Sequence, residues 1–239
     1  MSLPELHPER TALLLDFDGT LVEIAPRPDA ITVPAALPAL LAALHRRLSG
    51  ALALVSGREV ADIRRYLPEF PGTIIGSHGA ERAEPGRTAA PPAALEGLEA
   101  IREAVRDFAA KHPALLLEPK AHGVVLHFRQ APELGPQVAR FMGELAERHP
   151  DFAVQQAKMA WELRPGFADK GRAVRSLLGL DPFTDRIPIY VGDDATDEAA
   201  MNVVQDLGGV GIKIGQGSSV AMHRLPDPAA LLRWLENAA

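Results

Sequence analysis

The sequence predicts an α/β protein: a doubly wound parallel sheet, split in sequence by an inserted α+β domain on an antiparallel sheet. Three observations carry this. Apolar runs that end in acid or glycine recur at residues 12–15, 51–55 and 187–191, and helical spacing between them gives the alternation of parallel strands joined by right-handed crossovers. Between about residues 85 and 165 the order changes to helix, two strands, helix, two strands, the pattern of an antiparallel sheet. The strand and helix alternation then resumes at Lys170.

In order along the chain, residues 11–22 read TALLLDFDGTLV, four apolar residues running into Asp16, with Asp18, Gly19 and Thr20 behind it. A short apolar run bounded by a glycine turn is a strand covered on both faces. Its carboxylates lie beyond the strand's carboxyl end, where open parallel sheets bind ligands. Over 34–48, Leu37, Leu40, Leu41, Leu44 and Leu48 keep helical spacing and Gly50 is the expected stop. Residues 51–58, ALALVSGR, repeat the opening pattern as a strand ending in Ser56 and Gly57. Ser56 is the expected N-cap of the helix at 59–67, which carries Val60, Ile63 and Leu67. A third strand at 73–75 stops at GSHGAE, 76–81, and the proline- and alanine-rich stretch 83–94 reads as a linker.

The inserted segment is expected to hold helices at 95–111 and 133–148. Its strands are expected at 115–118, at 123–129 with alternation at Val125, His127 and Arg129, at 152–155 and at 159–163. Helix 170–178, strand 187–191 running into GDDATDE, strand 210–214 and a closing helix complete the first layer system. Residues 1–84 and 166–239 are therefore the expected core and 85–165 the expected cap.

Composition narrows the function. The chain has 239 residues, 47% hydrophobic and 23% charged, enough for a sizeable core. Net charge is −6 with the signs mixed, so a basic face for nucleic acid is not expected. No apolar stretch approaches the roughly 20 residues that span a bilayer, and the start MSLPELHPER lacks an apolar signal region. Absence of cysteine removes thiolate metal sites and thiol catalysis. The expectation is a cytoplasmic monomer acting on a small molecule.

Two strands ending in clustered aspartates can be brought side by side by a parallel sheet. Facing carboxylates repel unless protonated or bridged by a cation. Oxygen-only ligands suit a hard ion, and Mg²⁺ takes one or two carboxylates together with substrate phosphate oxygens. The pattern therefore points to Mg²⁺ and a phosphate ester. Taken singly, Asp16 and Asp18 also fit turn caps. An EF-hand loop is disfavoured, because Gly19 comes fourth where that loop needs glycine sixth.

DFDGTLV, VSGR, Lys170 in ADKG and GDDATDE, in that order, resemble the four motifs of the haloacid dehalogenase superfamily. The resemblance implies a Rossmann-like core of haloacid dehalogenase type, with Asp16 as nucleophile and Asp18 as general acid and base. It also implies phosphate binding by Thr20, Ser56, Gly57 and Lys170, and Mg²⁺ held by Asp16, the backbone carbonyl of Asp18 and Asp193, with Asp194 and Asp197 in support. On that scheme Asp16 forms an aspartyl phosphate, splitting one hard hydrolysis into two easier displacements.

Selection among substrates falls to the inserted segment. Glu118 and Lys120 share a strand face, and Lys158 and Glu162 share another. Mixed acids and bases suit a neutral polyol, though each alone also fits a solvated strand face. GSHGAE, LEPKAHGVVLHFR and KMAWELRPGFADKG, with GDDATDE, resemble the trehalose-6-phosphate phosphatase family. That resemblance implies disaccharide contacts by Glu118, Lys120, Arg129, Lys158 and Glu162, with His78 able to touch the sugar. The alternatives are a phosphatase for a sucrose or mannosyl phosphate and, from another class, a phospho-acceptor module; the inserted domain argues against the latter.

Overall fold

The computed structural model describes residues 3–25, 27–86, 95–157 and 159–239. They form two compact units, residues 1–90 with 169–239 and residues 91–168.

In the first unit, β1 (Thr11–Leu15) is followed by α1 (Leu37–Arg47), β2 (Leu52–Val55), α2 (Val60–Tyr66), β3 (Thr73–Gly76) and β4 (Glu81–Ala83). The chain then forms the second unit with α3 (Leu98–Ala110), β5 (Leu116–Pro119), β6 (Val124–His127), α4 (Gly135–Arg148), β7 (Phe152–Ala157) and β8 (Ala160–Pro165). It returns with α5 (Lys170–Leu178), β9 (Ile187–Gly192), α6 (Glu198–Asp206), β10 (Val210–Ile214), β11 (His223–Leu225) and α7 (Pro228–Glu236).

The first unit's sheet has the order β11-β10-β9-β1-β2-β3-β4. All pairs are parallel except β3 with β4. β1 is central, pairing Leu15 with Val191 on one side and Leu54 on the other. That explains its unbroken apolar run, since both faces are covered. Leu13 and Leu15 pack with Leu37, Leu41, Leu44, Leu231 and Leu235 in one layer. Ala12 and Leu14 pack with Val174, Leu177, Met201 and Val204 in the other. Each fully buried leucine contributes about 2 kcal/mol of apolar transfer.

The second unit's sheet is antiparallel, in the order β5-β6-β8-β7. Val124, Leu126 and Leu163 turn toward α3 and α4, meeting Ile101, Val105, Val138, Met142 and Leu145. By the period of two, Val125, His127 and Glu162 belong to the opposite face.

Three elements escape the sequence reading. β4 and β11 are three-residue edge strands with charged side chains, a form that protects sheet edges and leaves little apolar signal. The stretch 83–94 begins in β4, because Ala83 is buried and pairs with Ile74, and its residues 87–94 lie outside the described residues. α6 follows the second acidic cluster, where Asp194 and Asp197 form a capping box; aspartates three apart before Ala200, Met201 and Val204 were the available signal.

Candidate active site

β1 and β9 are neighbours, so Asp16 and Asp193, each one residue beyond its strand, come together at the sheet's carboxyl end. The Asp16 amide donates to the Val191 carbonyl at 2.9 Å, continuing the ladder one step past β1. Lys170 opens α5 behind its N-cap Asp169, whose carboxylate accepts from the Arg172 amide at 2.8 Å. Its ammonium reaches Asp16 Oδ1 at 2.8 Å and Asp197 Oδ1 at 2.7 Å, all three side chains being buried.

Asp197 accepts three further donors: the Tyr190 hydroxyl at 2.6 Å and the backbone amides of Asp193 and Asp194 at 3.0 and 2.9 Å. Burial opposes its charge, but Lys170 and these donors outweigh burial and hold it below the usual carboxylate range. Burial would lower Lys170, yet Asp16 and Asp197 hold it above its ordinary value. One ammonium cannot neutralise two buried carboxylates, and the less supported one carries the cost. Burial thus pushes Asp16 well up, against the pull of Lys170. Burial, with Asp197 and Asp194 nearby, pushes Asp193 up to about 6.

Asp16, Asp193 and Asp197 each offer an oxygen to a space in which the three atoms lie within 4.8 Å of one another. Asp197 is already saturated, so Asp193 and the second oxygen of Asp16 remain for a ligand. An all-oxygen pair, uncomfortable without a counter-charge, fits a hard divalent cation. Gly19 makes room for the Asp193 carboxylate: with φ +74°, a Cβ there would overlap it. Lys213, buried on β10, donates to the Asp193 carbonyl and fixes that loop from behind. The sequence reading missed Lys213 and Tyr190; the signal for Lys213 was a lone charge within VGIKI.

Thr20 is fully buried, and its hydroxyl has no hydrogen-bond partner among the described residues. Ser56 is also buried, with Oγ accepting from the Arg58 amide at 3.1 Å. Ser56 does not cap α2. The N-cap position is Glu59, with no side-chain cap, because Ser56 lies too far back along the chain; the Val60 amide instead finds Glu81 of β4 at 3.1 Å. Gly57 lies against the His78 imidazole, which a Cβ at that glycine would overlap. His78 has φ 56°, and its amide donates to the Ser56 carbonyl at 3.0 Å. Asp194 uses Oδ1 to accept from the Ala195 amide at 2.6 Å, a local turn bond. Asp18 points to Arg58 rather than to the Asp16 pair, with both oxygens engaged at 2.6 and 2.7 Å.

The second unit carries its own charged group. Glu118, Val125 and Glu162 are registered across β5, β6 and β8, so they share one sheet face. Glu118 meets Lys120 at 2.5 Å and His127 at 2.7 Å. Those bonds overcome burial and hold Glu118 at about 2, while burial raises Glu162 despite Lys120 and Arg164. His127 was not singled out, although its alternation with Val125 was visible. Arg129 stands exposed in the turn after β6, with no ion pair among the described residues. Lys158 lies outside the described residues.

This architecture is shared with solved haloacid dehalogenase-like hydrolases. One from Bacteroides thetaiotaomicron matches with a TM-score of 0.71 over 96% of this chain and 99% of its own, at 15% identity, a likeness of fold alone. The fold class is thus that of the haloacid dehalogenase-like proteins. Within it, the trehalose-phosphatase family model matches residues 14–226, and the chain belongs to that family. A probable trehalose-phosphate phosphatase of Sinorhizobium fredii is 41% identical over 92% of this chain and 84% of its own length. The trehalose-6-phosphate phosphatase of Escherichia coli is 35% identical over 98% and 88%. A crystal structure of a trehalose-6-phosphate phosphatase related protein matches at 30% identity with a TM-score of 0.80, covering 94% of this chain and 95% of that one.

Proposed function

We propose that this protein hydrolyses trehalose 6-phosphate to trehalose and inorganic phosphate through an aspartyl phosphate on Asp16. The observation that carries the reading is the buried Asp16–Lys170–Asp197 chain beside Asp193, set at the end of the central strand. Asp16 Oδ attacks phosphorus, the ester P–O bond breaks, and the leaving sugar oxygen takes a proton from Asp18. Asp18, now a carboxylate, takes a proton from the water that attacks the phosphoryl group, and Asp16 is regenerated. Lys170 keeps Asp16 aimed, and the orphaned Thr20 hydroxyl with Ser56 suits donation to phosphoryl oxygens.

Asp16, Asp193 and the Asp18 carbonyl would hold Mg²⁺, which when bound supplies charge neutralisation for an anion meeting a dianion. The second unit serves in this reading as the substrate-selecting cap. Glu118, Lys120, His127 and Glu162 give it mixed donors and acceptors suited to sugar hydroxyls, with Arg129, Lys158 and His78 as further candidates. The protein would work as a cytoplasmic monomer; among the described residues no helix is long and apolar enough to cross a membrane.

The test is phosphate release from the 6-phosphates of trehalose, sucrose and glucose, with and without EDTA. Trehalose 6-phosphate should be cleaved best, and EDTA should abolish release. Equal cleavage of glucose 6-phosphate would overturn the disaccharide reading, and full activity in EDTA would overturn the metal.

A further inference from the structure

Arg58 has no part in the scheme above, yet it is held from several directions. Its amide donates to Ser56 Oγ at 3.1 Å and its carbonyl accepts from the Ser77 amide at 2.8 Å, so the backbone is pinned on both sides. Its guanidinium lies over two neighbouring aromatic rings, 5.3 Å from the Tyr66 ring centroid and 5.8 Å from that of Phe17. From there it forks onto Asp18, with Nε on Oδ2 at 2.6 Å and a terminal nitrogen on Oδ1 at 2.7 Å. The Arg58 side chain is 11% exposed, whereas that of Asp18 is 36% exposed. The arginine is thus the seated partner, and the aspartate would be free to rotate in its turn without it.

A two-pronged bond fixes the plane of a carboxylate as well as its distance, which a lysine at the same place could not do. It also suits the ionised form, in which both oxygens accept. That is the form Asp18 has after protonating the leaving sugar and before it takes a proton from water. We propose that Arg58 is the positioning residue that aims the Asp18 carboxylate at the water attacking the aspartyl phosphate. The inference rests on the reading of Asp16 and Asp18 above. It concerns the second displacement: a water O–P bond forms, the Asp16 O–P bond breaks with its electron pair returning to Asp16, and the water proton passes to Asp18.

The consequence is a split between kinetic constants. kcat/KM reports events up to formation of the aspartyl phosphate, whereas kcat includes its hydrolysis. With trehalose 6-phosphate, Arg58→Ala should lower kcat by about 10²-fold while kcat/KM falls less than about threefold, general base catalysis being worth on the order of 10² or more. Quenched-flow mixing should then show a burst of trehalose, one per enzyme, ahead of phosphate, and intact mass should show one added phosphoryl group. Arg58→Lys should keep the defect, and guanidine added to Arg58→Ala should relieve it. Tyr66→Leu, which loosens the seat and leaves the fork, should move kcat the same way by a smaller factor; it and Arg58→Lys carry the test if Arg58→Ala does not fold. Equal losses in kcat and kcat/KM, or no phosphoryl adduct, would overturn the assignment. If the unaltered protein released no phosphate, or Asp16→Asn remained fully active, the reading of function itself would fail instead.

Discussion

Lys170 and Lys120 both sit among carboxylates, one at the end of a parallel sheet and the other at the end of a strand in an antiparallel one. Lys170 is buried, bonded to Asp16 and Asp197, and the Asp197 oxygens also accept from a tyrosine and two backbone amides. Lys120 keeps about a quarter of its side chain open, as do Glu118 and His127 beside it. Under the proposed function the same residue types would therefore do different work. Where water is excluded, an ion pair fixes atoms to within a bond length, as displacement at phosphorus requires. Where water has access, the partners can exchange for the hydroxyls of a ligand at small cost.

The comparison breaks most sharply at Asp16. Asp16→Asn should lower phosphate release by on the order of 10³-fold or more, because a group that acts as a unit with its neighbours is removed. Phosphate release by the purified variant, with thermal melting to verify folding, measures it. Lys170→Ala should come next: it leaves two buried carboxylates without their cation, a loss of about 3–5 kcal/mol in stability. Denaturant unfolding of the variant should show that loss, and a small shift would mean the cluster is wetter than its burial implies.

On the antiparallel sheet the expected effects are smaller and of another kind. Glu162→Gln and His127→Ala should each raise KM for trehalose 6-phosphate by roughly 5- to 30-fold, the worth of about 1–2 kcal/mol of hydrogen bonding. They should leave kcat within about threefold. A fall in kcat at unchanged KM would place these residues in the chemistry and erase the contrast. The smallest effect concerns acid. Glu118 lies near 2, below the 4.5 of a free glutamate, so it contributes stability above about pH 4.5 that is lost as pH falls toward 2. The thermal midpoint of Glu118→Gln should therefore fall less steeply than that of the unaltered protein across this window.

Much of the parallel sheet was legible because fully buried strands leave unbroken apolar runs, as at Leu13 to Leu15, and the site because acids follow two such runs, where a single one would also fit a turn cap. Strand boundaries in the second unit shifted by up to two residues, since half-exposed strands such as Phe152–Ala157 run on through Gln155 and Gln156, where composition gives no stop. Arg58 and Lys213 were out of reach for another reason. Their roles depend on partners forty and twenty positions away, Asp18 and the Asp193 carbonyl, which no local pattern announces. Ser56 was misread as a cap because the true partner of the Val60 amide, Glu81, arrives from a strand too short to recognise.

β1 is bordered on one side by β9, so Leu15 waits for Val191. On a ribosome, the first strand and the whole second unit emerge before that neighbour exists. Until then Asp16 is an ordinary hydrated acid at an open strand edge, with neither Asp193 nor Asp197 beside it. The long sequence separation of the β1 and β9 contacts, which slows folding in general, makes assembly of this aspartate cluster a late event in the protein's synthesis.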